Sequence, residues 1–475
     1  MPGDPIPLNQ VAFAVLDLRR TEAWWREGFG FLPAGGTRLM FRPPVSDGRV
    51  QKLPGSAMTC WCMLGRNDWA QLEFFQYETP VSKLMPDDYR ACDLGYSRCG
   101  VWVADFDAAL ANLEKLGTRP VAPTVGKRGQ RRACVRNPDG VFVELMEDDP
   151  LPAQNQRGRL DCPVALRGVT LSTPDLVQSA SFLTTGLGMR ETDIVLHDDS
   201  HEAIWGLTGA SCARKVFIGG SANETMLLEV VQYRDPPGKP FPADYRLCDQ
   251  RILNICFGDP EGSAGVMAMH RKALAAGATE NCPPLNIGLV GCVYIEDPLG
   301  FSYEFMWAKP GWAQRQFGFV PTTVDQRPVL DDQRVDASIT IAASRDAVFA
   351  VLADHAGMSS WAGLGRFRVV RPGDGDPAGR GAERAVSGPA GEIFEQITDW
   401  EPGRGYRYRI IKGSPFLGYW GEVSLSPEGG GTRVDWTVRF RSRIPGFGWL
   451  LRGVLLSKLG SALGGLKKRV EMRPA

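Results

Sequence analysis

The sequence predicts an α+β protein in which two copies of one domain precede a third, unrelated domain. The first observation is an internal repeat, because the segment that starts at Glu73 recurs from Glu229 at a constant offset of 156 residues (229 − 73). The second is a rhythm of strand, helix and further strands in each copy, which is the pattern of a βαβββ unit used twice. The third is a change of pattern at Val335, where long strands and a closing amphipathic helix begin.

The repeat and two linker-like stretches set the expected domain boundaries. EFFQYETPVSKLMPDDYRACD from Glu73 matches EVVQYRDPPGKPFPADYRLCD from Glu229, and the opening and closing strands of the copies also correspond. A chain of 475 residues has room for three domains of ordinary size. Two polar, proline-containing stretches are typical of linkers. The expected order is a first domain over 1–149, a linker over 150–163, a second domain over 164–312, a linker over 313–334 and a third domain over 335–475.

Capping signals predict where helices begin and end. Asp105 is expected to cap a helix that ends at Gly117, and Ser344 is expected to cap a helix in the last domain. The final helix carries an apolar stripe that we expect to pack on the sheet. A membrane-surface role is the alternative, because basic residues lie beside the stripe. The stripe consists of Leu451, Val454, Leu455, Leu459, Ala462 and Leu466.

Composition narrows the classes of function. The chain has 54 Lys and Arg against 54 Asp and Glu, so it has no overall attraction to nucleic acid, and a small uncharged ligand fits better. The eleven cysteines are scattered, and the closest pair, Cys60 and Cys62, lacks the spacing of a zinc knuckle or a redox CxxC motif. We interpret them as reduced thiols of a cytoplasmic protein. No signal-peptide pattern and no stretch long enough for a membrane span is visible.

The two copies resemble the vicinal-oxygen-chelate superfamily of glyoxalase I, extradiol dioxygenases and bleomycin-resistance proteins. The resemblance rests on a strand that ends in an Asp-Leu helix start, on the GFGF and GLGM loops at Gly28 and Gly186, and on a D/N-P-x-G hairpin before a glutamate-bearing strand. It implies that paired βαβββ units form an open cup. In that family, four inward positions on the first and last strands of each unit hold a divalent metal.

The four metal positions of each copy carry no histidine in this sequence. Because an arginine cannot ligate a cation, we expect Arg98 to lie between Glu73 and Glu144 and to replace the metal there. A divalent-metal site formed by Gln10, Glu73 and Glu144 remains as an alternative. Transferred in chain order, the positions are Gln10, Glu73, Arg98 and Glu144 in the first copy and Gly168, Glu229, Asn254 and Glu304 in the second.

The four histidines of the chain fall outside these positions, which argues against the two-histidine, one-carboxylate iron site of a dioxygenase. His197 and His201 flank a polar turn, and we expect both to be exposed turn residues, with pocket lining or adventitious metal binding as the alternative. The other two are His270 and His355.

The last domain, from Val335 to about Glu471, resembles the polyketide-cyclase and START-like family. The resemblance rests on a strand with Ala-Ser before a VFAVLAD helix, on the EQITDWEP stretch and on a GGGT turn before the last strand. It implies a helix-grip fold, in which a sheet wraps a long C-terminal helix around an apolar cavity. Its candidate lining residues are Trp361, Glu383, Arg409 and Trp420. Candidate substrate contacts in the two copies are Gln10, Tyr77, Trp102, Tyr233 and Asn254.

The sequence is compatible with three functions. The first is a metal-independent lyase, isomerase or cyclase that acts on a bulky hydrophobic aromatic, polyketide or terpenoid-like molecule and needs no cofactor. The second is a glyoxalase-like divalent-metal enzyme, and the third is a carrier or resistance protein that binds its ligand without chemistry. A monomer or a homodimer is expected, since tandem copies bury the surface that single copies bury by dimerising. The candidate catalytic residues are Glu73, Arg98, Glu144, Glu229 and Glu304.

Overall fold

A computed structural model confirms the α+β class and shows two compact units, Met1–Gln326 and Arg327–Ala475. The residues it describes are 6–38, 48–219, 224–323, 333–388, 391–444 and 446–472. Within these residues, no helix is both long and apolar enough to cross a membrane.

The first half of the first copy has the predicted strand, helix and three strands, and its second half is shorter. Asp105 caps the helix of this second half, since its carboxylate accepts from the backbone N–H of Ala108 at 2.9 Å. Its elements are β1 (Leu8–Val15), α1 (Leu18–Phe29), β2 (Leu32–Thr37), β3 (Ala57–Leu64), β4 (Gln71–Thr79), β5 (Gly95–Val103), α2 (Phe106–Lys115), β6 (Arg132–Arg136) and β7 (Phe142–Met146).

The second copy repeats this order and adds a short helix at its end. The elements are β8 (Val164–Ser172), α3 (Leu176–Thr185), β9 (Arg190–Glu191), β10 (Ser211–Ile218), β11 (Leu227–Asp235), β12 (Arg251–Asp259), α4 (Ser263–Ala275), β13 (Thr279–Glu280), β14 (Leu285–Asn286), β15 (Val290–Glu296), β16 (Ser302–Ala308) and α5 (Trp312–Gln316).

Each sheet of the first unit combines strands from both copies. One sheet runs β13-β15-β16-β12-β1-β4-β3-β2, with β14 beside β15, and contains Glu73 on β4; we call it the Glu73 sheet. The other runs β6-β7-β5-β8-β11-β10-β9 and contains Arg98 on β5; we call it the Arg98 sheet. The copies meet where β1 pairs antiparallel with β12 and where β5 pairs antiparallel with β8. The copies therefore exchange halves, and 1–149 and 164–312 do not form separate compact units.

The repeated PxDYRxCD segments hold the two copies together reciprocally. The guanidinium of Arg90 in the first copy donates to the backbone carbonyl of Pro237 in the second at 2.8 Å. Arg246, its counterpart, donates to the carbonyl of Val81 in the first copy at 2.8 Å. The contact is therefore reciprocal, because each copy supplies one donor and one acceptor.

The second predicted linker, 313–334, is ordered over its first part. The helix α5 covers Trp312–Gln316, and the ring of Phe319 stacks on Trp69 with centroids 3.9 Å apart. The apolar side chains in this stretch explain the difference, because they bury surface against the Glu73 sheet. Residues 324–332 lie outside the described residues.

The second unit is an antiparallel sheet with a long C-terminal helix. Ser344 caps the short helix as predicted, accepting from the N–H of Ala347 at 3.3 Å. The sheet order is β17-β23-β22-β21-β20-β19-β18. Its elements are β17 (Gln333–Ile341), α6 (Arg345–Ala353), β18 (Arg366–Arg371), β19 (Glu383–Gly388), β20 (Gly391–Glu401), β21 (Gly405–Lys412), β22 (Phe416–Glu428), β23 (Gly431–Ser442) and α7 (Gly448–Glu471).

The apolar stripe of α7 packs into the core of this unit except at one position. Leu459, Ala462 and Leu466 are buried there, whereas Leu451 and Leu455 are half-buried against the same core. Val454 is 52% exposed, so its predicted place in the stripe is wrong. Neighbouring residues of a helix point about 100° apart, and the buried stripe passes through Leu455 instead.

Candidate functional site

A mostly apolar cavity of about 370 Å³ lies at the Glu73 sheet. Glu73 comes from β4 of the first copy and Glu304 from β16 of the second, so the exchange of halves brings them to one cavity. Gln10 on β1 also lines it. The apolar walls include Leu285, Ile287, Val290, Met306 and Phe317.

The two carboxyl groups are buried, each with 5% of the residue exposed. The amide N–H of Gln10 donates to Glu73 Oε2, and the thiol of Cys60 lies 3.2 Å from Glu73 Oε1. The amide of Asn254 donates to Glu304 Oε2 at 3.4 Å, and Tyr294 also hydrogen-bonds to Glu304. Among the described residues, no lysine, arginine or histidine forms an ion pair with either group.

Burial controls the protonation of this pair. It raises the pKa of Glu73 well above its ordinary value, and the nearby charge of Glu304 raises it further. Burial also raises the pKa of Glu304 to about 7, against the hydrogen bonds from Tyr294 and Asn254. Because two such groups resist simultaneous ionisation, the pair carries a proton near neutral pH.

Tyr77 supports the pair through other side chains rather than directly. Its hydroxyl donates to Gln51 Oε1 at 2.6 Å, and Gln51 Nε2 donates to the hydroxyl oxygen of Tyr294 at 3.4 Å. Tyr294 completes the path to Glu304. Tyr77 therefore acts as a buried support for Tyr294.

The Arg98 sheet holds the other group of charged residues. Arg98 is 2% exposed and donates to Glu229 Oε2 at 3.3 Å and to the Tyr233 hydroxyl at 2.8 Å. Its guanidinium lies 3.8 Å from the ring centroid of Trp205. The hydroxyl of Tyr233 donates in turn to Glu202 at 3.0 Å.

His197 bridges two carboxylates in the same sheet. Its Nδ1 lies 2.8 Å from Glu229 Oε2 and its Nε2 lies 2.7 Å from Glu144 Oε2. Although burial lowers the pKa of His197, Glu144 and Glu229 outweigh it and raise the pKa to about 9. Against the effect of burial, His197 and then Arg98 lower the pKa of Glu229 to about 2. In this cluster the histidine and the arginine are therefore positively charged, the glutamates are negatively charged, and the opposite charges balance one another.

Two sequence-based expectations about these residues are wrong. Arg98 does not lie between Glu73 and Glu144, because β5 pairs with β8 and so brings Arg98 and Glu144 to Glu229, whereas Glu73 faces Glu304. His197 is not an exposed turn residue, since it is 4% exposed inside the charged cluster. His201 is only partly exposed and lies in the first turn of a short 3-10 helix, Asp199–Trp205, where its Nδ1 accepts from the Asp198 N–H at 3.1 Å.

A signal for His197 was present in the sequence but incomplete. The second copy offers Glu229 and Glu304 on inward strands with no cation at the neighbouring family positions, and buried carboxylates need a partner. This requirement predicts that some cation is present but does not say which residue supplies it. His197 comes from an irregular segment between β9 and β10, where no periodic pattern marks which side chains point inward.

The remaining candidates lie outside both groups. Trp102 donates from Nε1 to the Glu147 carbonyl at 3.2 Å. In the second unit, Trp361 is packed in the core and Trp420 lies beside the guanidinium of Arg407. Glu383 and Arg409 both hydrogen-bond to the amide of Gln396.

The second unit also contains a buried ion pair that sequence reasoning missed. Arg384 is 2% exposed and donates to Glu395 at 2.7 Å, and its Nη1 lies 3.0 Å from His355 Nδ1. Burial and the charge of Arg384 lower the pKa of His355 to about 3. This histidine is therefore neutral and fits an acceptor role toward Arg384.

The residues around the Glu73 cavity fit a divalent cation. Gln10, Glu73, Asn254 and Glu304 offer two carboxylates and two amide oxygens, and two carboxylates balance a divalent charge. Asn254 Oδ1 is buried and makes no hydrogen bond to any residue that the structure describes, so it is free to ligate. The Arg98 sheet does not fit one, because Arg98 and His197 already neutralise its carboxylates.

The fold and these sites define a protein with vicinal-oxygen-chelate-type sheets followed by a START-like unit. The chain carries a domain of the glyoxalase/bleomycin resistance protein/dioxygenase superfamily at residues 9–135 and a domain of the polyketide cyclase/dehydrase and lipid transport family at residues 332–471. Together these domains support a protein that binds or metabolises small molecules.

Similarity to solved structures extends over each of the two units. The chain is similar to glyoxalase I from Zea mays (17% identity, 64% of this chain and 92% of that one, TM-score 0.42). It is also similar to a putative dioxygenase from Bacillus subtilis (11% identity, 66% and 88%, TM-score 0.45). A START superfamily protein from Mycobacterium smegmatis matches with 14% identity over 30% of this chain and 98% of that one (TM-score 0.27). No curated protein matches the sequence.

Proposed function

We propose that the cavity at the Glu73 sheet binds an apolar small molecule and transfers protons on it, with Glu73 and Glu304 as base and acid. The observation that carries this proposal is the pair of buried carboxyl groups, one from each copy, that line one apolar cavity. The corresponding carboxylates of the Arg98 sheet are held by Arg98 and His197, which makes them poor proton carriers.

A pair that carries one proton supplies a base and an acid at the same time. The ionised carboxylate removes a proton from a carbon beside a carbonyl group, and the protonated partner delivers one to the carbonyl oxygen or to another carbon. The amide N–H groups of Gln10 and Asn254 donate to the two carboxyl groups and orient them. This chemistry corresponds to an isomerase or a lyase.

The size and the lining of the cavity restrict the substrate. A volume of about 370 Å³ is near the lower end of the range of ligand pockets, so a compact molecule fits better than a multi-ring one. The apolar walls favour an aromatic or short polyketide-like carbonyl compound. The polyketide cyclase family of the second unit supports the same class of ligand.

A second candidate is a divalent-metal enzyme that uses the same cavity. The Oδ1 of Asn254 has no hydrogen-bond partner within the described part of the chain and favours this candidate, since an oxygen buried without a hydrogen bond is costly unless it gains a ligand. Gln10, Glu73, Asn254 and Glu304 would hold the cation, which when bound supplies Lewis-acid polarisation of a substrate oxygen. Glu73 and Glu304 would then be ionised, and the acid of the first candidate would be absent.

Deuterium exchange tests the proposal without knowledge of the natural substrate. A panel of 1,3-diketones and aryl ketones is incubated with the chain in D₂O, and exchange at the acidic carbon is followed by NMR. We expect Glu73→Gln and Glu304→Gln each to slow the enzymatic exchange by about 10²- to 10⁴-fold. Glu296→Gln is the matched control, because this glutamate of the same unit pairs with Lys52 at the surface.

The outcomes separate the three functions. Exchange that survives removal of metals with a chelator supports the first candidate. Exchange that stops on chelation and returns with Mg²⁺ or Mn²⁺ supports the second. Binding of panel members without exchange by the wild-type chain supports a carrier and overturns both proposals.

A further inference from the structure

Two thiols lie beside Glu73 on the neighbouring strand. In the ladder between β3 and β4, Cys62 stands opposite Glu73. Cys60 is two residues away on β3 and therefore points to the same face. Their sulfurs are 3.9 Å apart, and Cys60 Sγ is 3.2 Å from Glu73 Oε1. All three ligand atoms lie within 4.8 Å of one another, and this is the one such cluster found among the described residues.

These separations resemble those of a tetrahedral zinc site. With Zn–S bonds of about 2.3 Å and a Zn–O bond of about 2.1 Å, tetrahedral angles put two sulfurs about 3.8 Å apart and a sulfur about 3.6 Å from the oxygen. The sulfur–sulfur distance of 3.9 Å and the distance of 3.2 Å from Cys60 Sγ to Glu73 Oε1 differ from these by a few tenths of an ångström. Because the Cys62 sulfur also lies within 4.8 Å of the carboxylate oxygen, side-chain rotations can bring the three atoms around one cation.

We propose that Cys60, Cys62 and Glu73 form a site for a thiophilic divalent cation such as Zn²⁺ or Cd²⁺. Thiolates select such cations over Mg²⁺ and Mn²⁺, so this ligand set differs in chemistry from the oxygen set of Gln10, Asn254 and Glu304. Both cysteines are free thiols. Glu73 lines the cavity, so a cation reaches the site from that side.

Occupation of this site has a consequence for the proposed acid–base chemistry. A cation held by Glu73 uses the lone pairs that the base needs, so Zn²⁺ or Cd²⁺ should inhibit. This consequence rests on the proposed function, whereas the binding itself does not. The experiment therefore measures binding directly.

Cadmium titration of the full chain, freed of metal with a chelator, tests the site. We expect one Cd²⁺ per chain with an ultraviolet absorption band from thiolate-to-cadmium charge transfer. Cys60→Ser and Cys62→Ser should each raise the Kd by at least about tenfold and weaken the band. Cys292→Ser is the matched control, because this thiol lines the same cavity outside the cluster, and it should leave the Kd and the band unchanged.

The wild-type chain keeps the test decisive if a cysteine variant does not fold. Cadmium NMR of the wild-type complex distinguishes sulfur from oxygen ligands, and we expect a sulfur-rich environment. An all-oxygen environment, or Cd²⁺ binding that is lost in Glu304→Gln and kept in Cys60→Ser, would overturn the proposal. Binding with the expected band but without deuterium exchange would leave the site established and the proposed function overturned.

Discussion

His197 determines how the Arg98 sheet balances its charge. Glu144 and Glu229 are buried, and His197 lies within hydrogen-bond distance of both, while Arg98 pairs with Glu229. Arg132 also pairs with Glu144 at 3.2 Å. A metal ion at this place would be repelled by these cations, and the protein's own side chains neutralise the carboxylates instead. Among the described residues, no cation pairs with Glu73 or Glu304, and burial raises the pKa of both carboxyl groups.

Replacement of His197 should therefore destabilise the folded protein. In His197→Ala two buried carboxylates lose a shared cation, and we expect the free energy of unfolding to fall by about 3–5 kcal/mol. His201→Ala is the comparison, since His201 only helps to cap a short helix beside His197, and its loss should cost about 1 kcal/mol. Urea denaturation followed by circular dichroism measures both. Equal losses in the two variants would contradict the bridging role.

The same cluster predicts a pH dependence of stability. The folded pKa of His197 is raised from 6.5 to about 9, so its contribution is complete below pH 6.5 and is lost as the pH rises to about 9. The pKa of Glu229 is lowered from 4.5 to about 2, so its contribution is complete above pH 4.5 and is lost as the pH falls to about 2. Unfolding free energies across this range should fall at both ends. In His197→Ala the fall at the alkaline end should become smaller.

The contribution of Glu304 to stability should depend on pH in the opposite sense to that of Glu229. Its pKa is raised from 4.5 to about 7, so its contribution to stability is present below pH 4.5 and is lost as the pH rises through 7. Glu304→Gln removes this loss and should stabilise the protein above pH 7 relative to the wild type, by on the order of 2 kcal/mol. Denaturant titrations of both proteins at acidic and alkaline pH measure the difference. A variant that is less stable than the wild type at alkaline pH contradicts the prediction.

At the scale of the element, the helix α7 carries apolar residues on its buried face and also on its exposed face. Leu459 is 2% exposed, whereas Val454, five residues earlier, is 52% exposed. We expect Leu459→Ala to lower the unfolding free energy by about 2–5 kcal/mol, because it leaves a cavity in the core. Val454→Ala is the matched control and should change it by about 0.5 kcal/mol or less. Thermal melts of 327–475 measure both, and a large effect of Val454→Ala would show that this face is covered.

The helix starts at Asp105 and Ser344 were predictable because an N-cap is a local interaction within four residues. The ordered start of the second linker was not predictable in the same way. Phe319 is held by its stacking on Trp69, a partner that is distant in the sequence. The polar composition of this stretch predicted a linker, but a contact with a distant residue holds its first part in place.

At the scale of the whole molecule, the exchange of halves makes both copies necessary. The segment 1–149 alone has open edges at β1 and β5, because the partners β12 and β8 belong to the second copy. We expect 1–149 to self-associate or aggregate, whereas 1–326 and 327–475, which are compact units, fold alone. Light scattering and circular dichroism of the three fragments measure this. A folded monomer of 1–149 would contradict it.

The sequence by itself determined the α+β class, the duplication, the START-like second unit and the inward glutamates. These features rest on periodicity, capping and repetition, which are local or can be compared along the chain. Only the tertiary structure decided which glutamates face each other, since a repeat makes β12 and β5 equally plausible partners for β1. Strand pairing between the copies joined Glu73 to Glu304 and Arg98 to Glu229, and an irregular segment supplied His197. The chemistry of each sheet therefore depends on contacts between residues that are distant in the sequence, 131 positions for Arg98 and Glu229 and 32 for His197 and Glu229, for which the sequence carries no periodic signal.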